Sequence, residues 1–216
     1  MIEKTVKYYQ IDELPQDVID DAYESWREYW GRNADAYVGP TVDEDLKSLQ
    51  FALESIQCKL VDWSVNYSGW GRNTCQVEMD SNLSWDMTTG SVTDDGVPTL
   101  SSADIPEAQS DGLWIAEGFM ERWNSQCRPQ ICALVEQMHE ECDREVLAPK
   151  IGDIAYQRGN EIYEKYLSLA QEQADLCMRE TQDEIEAMWT KENFLSDSEG
   201  NGWYFEEDGT FAGHVR

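Results

Sequence analysis

The chain has 216 residues, with 44 acidic side chains against 16 basic ones, and a formal net charge of −28 at pH 7. Spread over the roughly 10,000 Å² that a folded chain of this size exposes, that charge repels polyphosphates and excludes most direct nucleic-acid binders. A hydrophobic content of 41%, with 9 Trp, 10 Tyr and 5 Phe, equally excludes a disordered acidic tail.

Thr5-Val6-Lys7-Tyr8-Tyr9 has β character, and Asp12-Glu13-Leu14-Pro15 reads as a helix start with acids in its first turn. Val18, Ile19, Ala22, Trp26, Tyr29 and Trp30 then recur at helical spacing, up to Gly31. Gly39-Pro40 closes a loop, and residues 41–56 read as a second amphipathic helix capped by Thr41. The period changes at Val61, Trp63, Val65 and Tyr67. Cys75, Val77 and Met79 continue it, as do Leu83, Trp85 and Met87, which predicts a three-stranded antiparallel meander. Residues 88–112 are rich in Gly, Ser, Thr, Asp and Pro and read as a long loop.

The second half is helical. Trp114, Phe119, Met120, Trp123 and Cys127 mark one helix, which Pro129 interrupts or restarts before Leu134, Val135, Met138, Cys142 and Val146. A longer helix runs from about Ile151 to Trp189, on the order of 55 Å at 1.5 Å per residue. That length suggests a kink at Gly159, a projection, or pairing with a second copy as a homodimer. Asp208-Gly209 centres a terminal hairpin. The expected fold is α+β, a small antiparallel sheet of meander plus C-terminal hairpin, flanked by N-terminal helices and a long C-terminal helical pair. Its parts are 1–112, 113–195 and 196–216, or all three form a single domain.

No run of eighteen apolar residues occurs, and the first residues lack the apolar stretch of a secretory leader, so a cytoplasmic protein without membrane contact is expected. In a reducing compartment Cys58, Cys75, Cys127, Cys132, Cys142 and Cys177 act as small free hydrophobes.

Four short motifs carry a resemblance: Asp12-Glu13-Leu14-Pro15 through Ala22, Asp62-Trp63-Ser64, Tyr166-Leu167-Ser168-Leu169-Ala170-Gln171-Glu172, and Asn201-Gly202-Trp203-Tyr204-Phe205-Glu206-Glu207-Asp208-Gly209-Thr210. In their order the chain resembles uncharacterised acidic proteins of bacteriophages, prophages and other mobile elements. Pro15 stands where those proteins usually have Ser, and residues 88–160 match little. The resemblance implies an anti-CRISPR or other counter-defence role in a bacterial host cytoplasm, with a basic, nucleic-acid-binding host protein such as a CRISPR nuclease or restriction enzyme as partner. It transfers no catalytic residue.

Between Arg72 and Arg122 lie 49 residues with ten acids and no Lys or Arg: Glu78, Asp80, Asp86, Asp94, Asp95, Asp104, Glu107, Asp111, Glu117 and Glu121. Carboxylates held without neutralising cations can reproduce the field of a phosphate backbone and occupy a basic channel. The competing reading is a solvated, solubilising face. Trp70, at a loop tip, is the candidate aromatic anchor. Trp203 at a hairpin edge is a second exposed candidate, whereas Trp26, Trp63, Trp85, Trp123 and Trp189 read as core.

Cys127, Cys132, His139 and Cys142 are ligands of a type suited to zinc, but Cys127 lies off the face that the other three share, so no metal or other cofactor is expected. With His139 and His214 the sole histidines, a nucleophile has few bases to draw on and no enzyme is expected. The alternatives to a charge-based inhibitor are a structural or regulatory interaction protein dimerising through the long helix, and a weak carboxylate-dependent hydrolase.

Overall fold

A computed structural model describes residues 6–68, 71–101, 103, 114–144 and 150–214. The fold is α+β and mostly helical. After a 3-10 turn at Ile11–Glu13 come α1 (Ile19–Gly31), α2 (Ala34–Ser55), β1 (Cys58–Ser64), β2 (Thr74–Met79), α3 (Ser81–Thr88) and a second 3-10 turn, Asp94–Gly96. Then follow α4 (Trp114–Arg122), a π-helical turn (Trp123–Cys127), α5 (Arg128–Arg144), α6 (Ile151–Met188), α7 (Lys191–Asn201), β3 (Tyr204–Phe205) and β4 (Phe211–Gly213). Among the described residues no helix is long and apolar enough to cross a membrane.

Two compact units are drawn from this chain. The first comprises Met1–Thr41, Asn66–Arg72 and Gln182–Arg216, and the second Val42–Val65 and Asn73–Thr181.

Aromatic side chains build the core of the first unit. Trp26 is fully buried, with the rings of Tyr23, Tyr37, Trp189, Phe194 and Trp203 5.2–6.3 Å away. Most of these pairs are tilted or edge-on, the arrangement that places a positive ring edge on a negative ring face. The terminal hairpin forms around Gly209, whose positive φ the turn requires and whose missing Cβ admits the backbone of α1 at Val18 and Asp21. Among the described residues it pairs with itself and, through Tyr9 and Phe205, with the chain start. The expected union of hairpin and meander in one sheet is therefore corrected to two separate two-stranded sheets. Trp203 is 5% exposed inside the aromatic cluster, not at an exposed edge.

Helix boundaries also shift. The Asp12-Glu13 start forms only the 3-10 turn, and α1 begins at Ile19. Gly39-Pro40 does not break α2, because Val38 and Val42 on either side are fully buried, and packing outweighs the bond that Pro40 cannot donate.

In the second unit, β1 and β2 pair antiparallel, with Cys58, Leu60 and Trp63 opposite Met79, Val77 and Cys75. A bulge at Val61 re-aims the end of β1, leaving Val61 and Trp63 39% and 47% exposed. The expected third strand is α3. Asp80 caps it, accepting from the Asn82 amide at 2.8 Å, and Leu83 and Met87 are buried four residues apart while Trp85 between them is 69% exposed. A window of eight residues with apolar side chains at 83, 85 and 87 fits either period until the cap decides.

The long helix is present as α6. Its Gly159 marks a close crossing: a Cβ there would collide with the Met87 carbonyl oxygen. Buried Tyr166 donates to the Ile56 carbonyl at 2.6 Å, and Thr181 to the buried Asp45 carboxylate at 2.6 Å. Arg122 fans its guanidinium across α6, to Gln173 at 2.9 Å, Glu180 at 2.9 and 3.3 Å, and the Cys177 sulfur at 3.3 Å. Pro129 neither ends nor restarts the α4–α5 run. The π turn ahead of it, closed by the Arg128 amide on the Trp123 carbonyl, absorbs the register change that proline would otherwise force.

Candidate interaction surface

Seven of the eleven expected partner-binding residues lie among the described residues, all in the second unit: Glu78, Asp80, Asp86, Asp94, Asp95, Glu117 and Glu121. Trp70, Asp104, Glu107 and Asp111 lie outside them.

These seven differ in environment. Glu78 on β2 is neutralised by its cross-strand neighbour, with Lys59 Nζ 3.3 Å from its carboxylate. Exposure of both side chains keeps that pair weak, roughly 0–1 kcal/mol. Asp80 serves as the N-cap of α3, so part of its hydrogen-bonding capacity is committed to structure. Its amide also donates to the Gln57 carbonyl at 2.7 Å, where Gln57 takes a left-handed conformation. A 440 Å³ cleft opens at this corner, lined by Glu54, Gln57, Cys58, Lys59, Met79, Asp80 and Ser81. Burial pushes the Cys58 thiol up to about 12, so it offers the cleft no thiolate at neutral pH.

Asp94 is half-buried in its 3-10 turn, and its carbonyl accepts from Arg128 Nη2 at 3.2 Å. Folding thus brings a cation to a stretch that holds none in sequence. Asp86 and Asp95, by contrast, are exposed, as are Glu117 and Glu121, one turn apart on α4. Among the described residues these four carboxylates pair with no cation. Beside Asp86, Trp85 presents most of its indole to solvent.

The aromatic anchors are thus reassigned. Trp63 and Trp85, expected in the core, are exposed, while Trp203 is buried. Recognising the cap at Asp80 and the four-residue spacing of Leu83 and Met87 would have turned Trp85 outward from sequence alone. No comparable sequence signal marks the bulge that exposes Trp63.

Cys127 is buried, Cys132 and Cys142 are half-buried, and His139 donates from Nε2 to the Val92 carbonyl at 3.1 Å. Among the described residues no three His, Cys, Asp or Glu side chains are placed to hold a metal ion.

What fold and surface define is an α+β protein whose second unit exposes Trp63 and Trp85 together with the carboxylates of Asp86, Asp95, Glu117 and Glu121. Compared with known proteins, the chain matches no family model, no curated protein and no solved structure.

Proposed function

We propose that the protein is a stoichiometric binder that covers a basic surface of a nucleic-acid-handling protein, the acids of its second unit competing with the phosphates that surface normally receives. The observation that carries this reading is the exposure of Trp85 beside Asp86, in a segment whose Asp86, Asp95, Glu117 and Glu121 have no cationic partner among the described residues. A large, rigid aromatic supplies short-range affinity, and the uncompensated carboxylates supply long-range steering. The resemblance to mobile-element proteins supports a bacterial host cytoplasm as the setting and a defence enzyme, a CRISPR nuclease or restriction complex, as the target.

The test is inhibition of DNA cleavage by a panel of purified CRISPR nucleases and restriction enzymes. At least one enzyme is expected to be blocked at near-equimolar protein, with inhibition fading as salt rises through one Debye length of screening. Reversing Asp86, Asp95, Glu117 and Glu121 to Lys should abolish the effect while leaving the melting transition in place. Inhibition indifferent to salt and to these reversals would sink the charge-based reading, as would no inhibition across the panel.

A further inference from the structure

The two outer edges of the β1–β2 sheet differ. The edge of β2 is closed by one side chain of α6: Gln171 accepts from the Val77 amide at 2.9 Å through Oε1 and donates to the Cys75 carbonyl at 3.0 Å through Nε2. A side-chain amide used at both ends fills two places of a missing third strand. The same two bonds fix which way the backbone of β1 points. In an antiparallel ladder, residues directly opposite each other turn their N–H and C=O groups either both inward or both away. Cys75 and Val77 turn theirs outward, so Trp63 and Leu60 opposite them turn theirs to the free side of β1.

Among the described residues no hydrogen bond closes those outer groups of Leu60 and Trp63. A row of open donors and acceptors is a template for another strand. Lys59 and residues 61–64 are exposed, and Val61 and Trp63 set apolar surface beside the open groups. Charge decides what kind of strand fits. Residues 54–65 and 73–80, which hold both strands, carry Glu54, Asp62, Glu78 and Asp80 against a single base, Lys59, and that base is held by Glu78. Asp62 is exposed and has no cationic partner among the described residues. A second copy of the chain would bring another net charge of −28 to this edge, whereas a basic segment finds its counter-charge there.

We propose that the free edge of β1 receives, by antiparallel strand addition, an extended segment of a partner protein in which basic and apolar residues alternate. The proposal rests on the reading of the protein as a binder of basic surfaces and names the form that part of such a surface takes. The partner's apolar residues lie opposite Leu60 and Trp63, where aromatic–aliphatic cross-strand pairs add to the main-chain bonds. Its basic residues fall on the other face, over Asp62. Because Leu60 and Trp63 carry the open backbone groups, the partner's apolar residues are the ones whose N–H and C=O groups are used.

The probe is a fluorescent heptapeptide of alternating valine and lysine with valine at both ends, blocked at its termini and titrated onto the full-length protein at physiological salt. Methylating the valine backbone nitrogens should weaken binding at least about tenfold, since several hydrogen bonds are lost together. Methylating the lysine nitrogens, which face away from β1, should leave it within about twofold. Replacing the lysines by glutamates should again cost at least about tenfold. In the complex the Leu60 and Trp63 amides should exchange hydrogen at least about tenfold more slowly than in the free protein, while the Lys59 amide, already turned to β2, is unchanged. Equal losses from the two methylated peptides, or no slowing at Leu60 and Trp63, would reduce the binding to charge alone and overturn the proposal. A concentration-dependent dimer that the peptide does not dissociate would assign the edge to a second copy and overturn it as well. The predicted methylation pattern without inhibition of any nuclease would uphold the edge and sink the proposed function, whereas salt-sensitive inhibition with indifference to methylation would do the reverse.

Discussion

The Tyr37 hydroxyl donates to Asp197 Oδ2 at 2.6 Å, and Asn193 Nδ2 lies 3.2 Å from both oxygens, so α2 and α7 are joined inside the first unit by a closed polar triangle. Burial, and then the Asp197 carboxylate, push the Tyr37 phenol far above its ordinary value of 10. Burial raises Tyr166 in the same direction. In the unfolded chain these phenols release protons near pH 10, whereas in the native protein they keep them. Their contribution to stability is therefore complete below pH 10 and is lost progressively as pH rises above it. Urea midpoints should begin to fall at about pH 9, where the thiols of Cys58, Cys75 and Cys177 ionise in the unfolded chain, and fall more steeply above about pH 10 as the phenols add to the loss. Tyr37→Phe should cost about 1–3 kcal/mol at pH 7 and flatten the alkaline decline, read as phenolate absorbance against unfolding.

Gly159→Ala sets a new methyl against the Met87 carbonyl oxygen, with the Gly90 amide also near. Both obstacles are backbone and neither can swing aside. A loss of about 1–3 kcal/mol is expected, seen as a lower urea midpoint with unchanged slope. Gly152→Ala on the same helix meets nothing within 4 Å and should gain a few tenths of a kcal/mol to about 1 from helix propensity. Equal effects at the two positions would contradict the crossing.

Tryptophan substitutions should separate core from surface. Trp26→Ala, inside the aromatic cluster, should cost about 3–5 kcal/mol, while Trp85→Ala should stay within about 0.5 kcal/mol. In acrylamide quenching the Trp85→Ala protein should lose one of its most accessible emitters. Unchanged quenching would place Trp85 inside.

Thiol labelling at pH 8 should distinguish the cysteines. Burial pushes Cys58, Cys75 and Cys177 up to about 12, with Asp175 adding to the effect at Cys75 and Arg122 opposing it at Cys177. Thiolate is then scarce at all three. Native protein should react with an aromatic disulfide reagent at buried Cys58 and Cys177 only through unfolding, at a rate that urea accelerates. Rapid native modification of Cys58 or Cys177 would refute their burial.

Charge balance, apolar periodicity and turn chemistry were legible in the residues themselves. They placed α6 to within a residue at its C-terminal end, the β1–β2 pair, the terminal Asp208-Gly209 hairpin and the helical character of 114–144. They also marked the one stretch lacking bases, from which the exposed Asp86, Asp95, Glu117 and Glu121 come. Local signals that fit two periods mislead where only packing separates them. Leu83, Trp85 and Met87 satisfy a strand's alternation and a helix's four-residue spacing alike, and Gly39-Pro40 stops a helix only when burial on both sides does not hold it.

Exposure of individual tryptophans, the π turn before Pro129 and the seating of residues 92–100 belong to the tertiary structure alone. Each depends on partners distant in the chain, as Trp123 finds Pro98 and Trp26 finds Trp189. A net charge of −28 is a property of composition. Which carboxylates stay unpaired is not, because folding carried Lys59 to Glu78 and left Asp86, Asp95, Glu117 and Glu121 to the solvent.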